Sequence, residues 1–248
     1  MQASPLFKLS AAALLIAAAV PASALTVTLP TSALQANAVM TFSNDSVQAL
    51  NGVGITRSAL GTSTSLDSTG TSFNLPVTST TMNISLLPPA ITPTSGQSMG
   101  AALGLTLGSN TVTLGNMSID FSKKTVTADT WVNGANKTSM VIYNFNIAQG
   151  LSVSMTGGLH LAESLNHLTL TQGAADMIAN GLNINPYLRP ALTMLDYGSI
   201  NINITPALRF GVSGKAYTPP PVPEPGTYAL VGLGLVAVGA VARRRRAQ

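Results

Sequence analysis

The chain has 248 residues, 46% of them apolar and 8% charged, against a charged share of about one quarter in ordinary globular proteins, and it has no cysteine. Disulfides, thiol catalysis and cysteine-ligated metal sites are therefore excluded. The sequence pI of about 9.6 does not mark a nucleic-acid surface, because between Leu25 and Pro221 seven basic residues (Arg57, Lys123, Lys124, Lys137, Arg189, Arg209, Lys215) meet seven acidic ones (Asp45, Asp67, Asp120, Asp129, Glu163, Asp176, Asp196).

Met1–Ala24 has the layout of a secretory signal peptide. Lys8 supplies the positive n-region, Leu9–Val20 the apolar core, and Ala22 and Ala24 frame an A-x-A site that predicts cleavage after Ala24. Residues 25–217 are the predicted extracytoplasmic domain. Leu25–Leu29 alternates apolar residues with threonine, as a strand does. Asp45 or Ser46 is placed to cap a short helix over Val47–Leu50, stopped by Asn51-Gly52. Thr62–Gly70 is rich in Ser, Thr, Gly and Asp and predicts a loop. Phe73–Val77 and Met82–Leu86 predict strands, Pro76 making the first an edge or broken one, and Pro88, Pro89 and Pro93 predict a loop after them.

The clearest pattern runs from Leu103 to Leu170. Met117, Ile119 and Phe121 share a face, Lys123-Lys124 marks a turn, and Val126, Ala128, Thr130 and Val132 return along the same face. Asn133-Gly134 is a hairpin turn dipeptide. Val141, Tyr143, Phe145 and Ile147 predict the next inner face; Leu151, Val153 and Met155 another, ended by Gly157-Gly158; then come Leu159, Leu161, Leu168 and Leu170. Successive short strands with turn signals predict an antiparallel meander, hence a sandwich or barrel. Thr171–Leu182 predicts a helix capped by Thr171 and stopped by Gly181, Pro190–Leu195 a further helical turn, and Ile200, Ile202 and Ile204 a late strand that closes the sheet. The fold class is thus mainly β: an antiparallel β-sandwich or barrel-like domain with one or two short helices, followed by a C-terminal transmembrane helix.

No residue set for chemistry stands out, and no catalytic, metal or cofactor site is assigned. His160 and His167 fall on the polar side of an alternating strand, and no G-x-S-x-G elbow accompanies them. Asp120 and Asp129 are outer-face residues flanking a hairpin, not a glycosidase pair. Asp67-Ser68-Thr69-Gly70 and Asn44-Asp45 lack the carboxylate spacing of a calcium loop. Trp131, the single tryptophan, is either an exposed glycan-stacking platform or packs under a second layer.

The C-terminal end is different. From Thr218 a proline-rich linker predicts a stiff spacer, and Val222, Pro223, Glu224 and Pro225 end it. An uncharged apolar run of 17 residues, 226–242, follows, roughly 25 Å long as a helix and near the lower limit for spanning a bilayer. Arg243, Arg244, Arg245 and Arg246 then hold the tail on the cytoplasmic side. This ordered trio resembles the PEP-CTERM sorting signal of Gram-negative bacteria. The resemblance implies export across the inner membrane by the secretion machinery and transient anchoring by 226–242. It also implies processing by an exosortase at the Val222–Pro225 motif, then display at the cell surface or release. The implied role is a non-enzymatic structural or adhesive component of the exopolysaccharide of biofilm or floc. A surface ligand-binding module for glycan or haem is the alternative, since the strand pattern and Leu/Thr composition also resemble the β-rich domains of bacterial haem-uptake surface proteins, although no haem-ligating motif matches. A secreted hydrolase is a third reading.

Overall fold

The computed structural model describes residues 25–32, 34–86, 89–154, 160–210 and 212–220. Among these residues the strands are β1 (Leu25–Pro30), β2 (Leu34–Thr41), β3 (Thr56–Gly61), β4 (Thr64–Ser65), β5 (Ser72–Pro76), β6 (Ser79–Leu86), β7 (Pro89–Leu107), β8 (Asn110–Asp120), β9 (Thr125–Val132), β10 (Ala135–Ser154), β11 (His160–Leu170) and β12 (Ser199–Leu208). All of them belong to one sheet, antiparallel at every pairing, rather than to the two facing layers of a sandwich.

The meander from β7 to β11 is local in sequence, and its turns follow from residue chemistry. Asn133 and Gly134 both take positive φ (51° and 73°), the backbone of the tight hairpin turn that matches strand twist. Between β8 and β9 the Asp120 carboxylate accepts from Ser122 Oγ (2.6 Å) and Lys123 N (3.0 Å) and closes the turn. These two bonds, the hydroxyl's first, lower its pKa to about 2.

The sheet curls closed because two bent arms pair along both of their halves. Residues 25–41 carry β1 and β2; residues 72–86 carry β5 and β6. β2 pairs β5 from Thr41↔Ser72 to Asn37↔Pro76, and β1 pairs β6 from Pro30↔Ser79 to Leu25↔Ile84. β12 flanks the first arm and β7 the second. The neighbours therefore run from β7 through to β12, across both arms and back to β7, with β3 and β4 wedged between β7 and β5. Pro76 ends β5 at the bend, where a missing N–H costs no ladder bond. Pro93 lies inside β7, at a register shift opposite Thr81 and Met82, and not in the loop its proline cluster predicts. A shifted register is where a strand tolerates proline.

Among the described residues three short helices pack at the end where β7 gives way to β8, one more than the upper expectation for the domain. α1 (Asn44–Val53) is capped by Ser43, whose Oγ accepts from Ser46 N, and stops at Gly54 with φ 85°. Both boundaries thus differ from the predicted Asp45 or Ser46 cap and Asn51-Gly52 stop, because the hydroxyl one position before the helix reaches the orphan amide. α2 (Gln172–Gly181) is capped by Thr171 as predicted. A Cβ at Gly181 would come within 2.6 Å of Val112, so glycine lets α2 lie directly on the wall. α3 (Arg189–Met194) follows a 3-10 turn at Pro186–Leu188.

Burial corrects part of the predicted inner face. Val141, Ile147 and Val153 are more than a third exposed, while Ile142 and Tyr143 are both buried. A register shift between Val141 and Tyr143 sends two consecutive side chains inward, which strict alternation cannot foresee. Met155, Gly157, Gly158 and Leu159 lie outside the described residues.

Candidate functional site

Ala22, Ala24, Val222, Pro223, Glu224, Pro225 and Arg243–Arg246 fall outside the described residues, as does the apolar run 226–242. No helix among the described residues is long and apolar enough to cross a membrane. The approach to the motif, 212–220, is described, and it is docked on the barrel's flank.

The dock is built around Asn116. Its φ of 51° and the register shift between Gly115 and Ser118 turn it into a bulge. Its Oδ1 accepts from Tyr217 N (2.6 Å) and from Gly100 N (3.1 Å). Its Nδ2 donates to Tyr217 O (3.1 Å) and to Asp129 Oδ2 (2.8 Å). Asn116 thus pairs with Tyr217 as a strand neighbour would. The tyrosine ring drops onto Gly115 and Gly61, positions where an added Cβ would press into it. There it meets the buried Trp131 indole edge-on at 5.7 Å. Lys137 reaches over the same indole (5.9 Å) and pairs with Asp129 (2.9 Å). Trp131 is therefore under a second layer, and that layer is the chain's own C-terminal segment. Pro219 and Pro220 continue along the wall and line a cleft of about 410 Å³ with Leu60 and Thr113.

A second site lies at the opposite end of the barrel from the helices. Leu161, Glu163 and Leu165 form the inward row of β11, and Glu163 is only 6% exposed. Opposite it β10 spends two residues, Gly150 and Leu151, between the pairs Gln149↔Ser164 and Ser152↔Ala162. That bulge opens the wall. Glu163 consequently lines both an enclosed apolar cavity of about 40 Å³, with Met117, Ile119, Val126 and Ile200, and an outer cleft of about 420 Å³. The carboxyl has no hydrogen-bond or ion-pair partner among the described residues, and burial pushes its pKa up to about 7.

The remaining candidates are structural. His167 is exposed, with Nδ1 2.9 Å from Asp196 Oδ2, and His160 starts β11 half-buried. Asp67 has both oxygens taken by its own turn: Oδ1 accepts from Thr69 N, Thr69 Oγ1 and Thr71 N, and Oδ2 from Thr71 Oγ1. The Thr71 amide foremost holds that carboxyl well below the usual range. No group of three or more His, Asp or Glu converges as a metal site among the described residues. Sequence reasoning passed over Glu163, although an acid in the apolar row between Leu161 and Leu165 was the available signal. Asn116 and Tyr217 are 101 residues apart, and no local pattern links them.

Residues 221–246 match the PEP-CTERM protein-sorting motif. No curated protein matches the chain. Among solved structures, the C-terminal domain of HtaA from Corynebacterium glutamicum is similar over 70% of this chain and 98% of that one, at 13% identity and a TM-score of 0.44. A likeness of that size carries no functional argument.

Proposed function

We propose, starting from a chain that carries the PEP-CTERM sorting motif and is by that motif an exported exosortase substrate, that its barrel is a non-enzymatic structural or adhesive component of the extracellular polysaccharide matrix. In this reading the signal peptide is removed after Ala24, and the 226–242 helix holds the chain in the inner membrane with Arg243–Arg246 on the cytoplasmic side. Exosortase then recognises Val222, Pro223, Glu224 and Pro225 and removes the helix and arginine tail. The stiff, extended prolines present Glu224 at the membrane boundary.

The observation that carries the reading is the sorting motif at 221–246. The matrix role is supported by the barrel's surface, where strands pair short hydroxyl and amide side chains rather than charges: Thr26 with Asn83 (2.7 Å), Thr28 with Thr81 (3.0 Å), Ser164 with Asn201 (2.7 Å). Such rows stiffen the sheet and offer neutral donors and acceptors to a hydrated polysaccharide. Mass spectrometry of the mature protein, with and without the host's exosortase, tests the processing. The expected product lacks the helix and arginine tail only when the enzyme is present; a wild-type chain still ending at Gln248 refutes it. Deleting the gene should reduce cell aggregation or polysaccharide retention, and unchanged values for both would refute the matrix role.

A further inference from the structure

We propose that the bulge at Glu163 is a binding site for a small cationic amphiphile, a primary amine on an apolar body. The amine sits on the Glu163 carboxyl and the body lies in the outer cleft against Ile91, Phe121, Ile147 and Leu151. The inference does not depend on the matrix role.

Three observations fix the ligand's chemistry. The first is size. The outer cleft of about 420 Å³ falls in the range of roughly 300–1,000 Å³ typical of small-molecule sites. The enclosed cavity of about 40 Å³ behind it has room for little more than ordered water or the tip of a ligand. The second is charge. Among the described residues Glu163 is the only ionisable side chain lining either space. The elements packed around it present Leu151 from β10, Pro93 from β7, Phe121 from the β8–β9 turn and Ile202 from β12, none of which titrates. That turn also carries Lys124 and the ion pair of Asp120 and Lys123, whose atoms lie 3.3 Å apart. An anion would therefore meet a lone carboxylate, whereas a cation completes it. The third is the state of the other polar groups. Thr94 already donates to Thr81 O (3.0 Å), Ser122 to Asp120 (2.6 Å), and Asn83 accepts from Thr26 (2.7 Å). A sugar, which needs many hydrogen bonds, finds most of the cleft's polar atoms occupied. An amine needs one acceptor, and the unpartnered carboxyl is that acceptor. A buried carboxylate left alone is costly, and a cation that meets it offsets much of that cost.

The test uses the full chain in nanodiscs of zwitterionic lipid, with empty discs as the blank. n-Hexylamine, 1-hexanol and hexanoate are titrated calorimetrically at pH 8, where Glu163 is ionised. Saturable binding of hexylamine at one per chain is expected, with hexanol and hexanoate at least about tenfold weaker, as for the loss of a hydrogen bond to a charged group. Glu163→Gln should lose at least about tenfold for hexylamine while leaving hexanol unchanged. Its unfolding transition should remain cooperative, which separates lost binding from lost fold. Glu163→Asp, which keeps the charge, should retain part of the preference for the amine. Hexylamine binding that survives in Glu163→Gln, hexanol binding as well as hexylamine, or no saturable binding at all overturns the proposal.

Discussion

Tyr217 and Trp131 meet edge to face with their ring centroids 5.7 Å apart, one side chain from the segment that leads to the sorting motif and the other from the middle of the barrel wall. The contact joins positions 86 residues apart in sequence, and Asn116 fixes it by bonding both the N–H and the C=O of Tyr217. The docked residues all precede the motif at 221–246. Removal of the tail at the proposed Val222–Pro225 site would therefore leave the segment on the barrel, near the end of the processed protein. Trp131 is the single tryptophan, so its fluorescence reports the dock without interference. Tyr217→Ala should shift the emission to longer wavelength and lower stability by about 1–2 kcal/mol, the sum of an aromatic pair and partial loss of burial. Asn116→Ala should do the same and make 212–220 susceptible to limited proteolysis. An unchanged emission maximum in both variants would show that the segment does not cover Trp131.

Arg209 holds the bend of both arms. Its guanidinium donates to the carbonyls of Ala36 (2.6 Å), Val77 (2.7 Å), Thr31 (3.3 Å) and Ser32 (3.4 Å) and to Asn37 Oδ1 (3.1 Å). These acceptors lie around the bend between Pro30↔Ser79 and Asn37↔Pro76, where Ala36 O also accepts from Val77 N (2.8 Å), Thr31 O from Leu34 N (3.0 Å) and Val77 O from Thr31 Oγ1 (3.0 Å), so the guanidinium adds a second donor to each of these carbonyls. Arg209→Ala removes these charge-assisted bonds while Ala36, Thr31 and Val77 keep another donor, and should cost about 1.5–3 kcal/mol, lowering Tm by roughly 3–12 °C for a domain of this size. Arg209→Lys keeps the charge but not the planar fork, and should recover less than half of the loss. Urea and thermal denaturation measure both. A loss below about 1 kcal/mol would mean that water replaces the fork, as for surface groups.

The legible parts of the fold were those set within a few residues. Asn133-Gly134 specifies its own turn, Thr171 its own cap, and the Ile200, Ile202, Ile204 row its own strand. The illegible parts were set by register. A shift at Val141 and Tyr143 buries Ile142 and exposes Val141, and the Gly150-Leu151 bulge opens the wall beside Glu163. Neither leaves a mark in the hydrophobic pattern, because a bulge is a property of two strands together. The same holds for the long-range contacts that tie the barrel together. Arg209 lies more than 130 residues from every acceptor it bonds, and nothing near Tyr217, the last residue of the predicted domain, points to Asn116 as its partner.

Glu163 makes stability depend on pH in a predictable direction. Its carboxyl is raised to about 7 in the folded chain, against about 4.3 for a free glutamate. Between these values the folded state holds a proton that the unfolded state has released. Stability from this group is therefore fully present below about pH 4.3, falls as pH rises through 7, and is level above it. Glu163→Gln removes the titration and keeps the shape. It should match the wild type at pH 4.5 and exceed it at pH 8. Discounted for the solvent that reaches the mouth, the gain at pH 8 should be on the order of 1–2 kcal/mol, or about 3–6 °C in Tm. Other titrating groups are common to both chains and cancel in the difference, so the readout is the Tm gap between variant and wild type across the pH series. A gap that is flat with pH, or that favours the wild type at pH 8, would place the carboxylate in water and not in the apolar throat of the barrel.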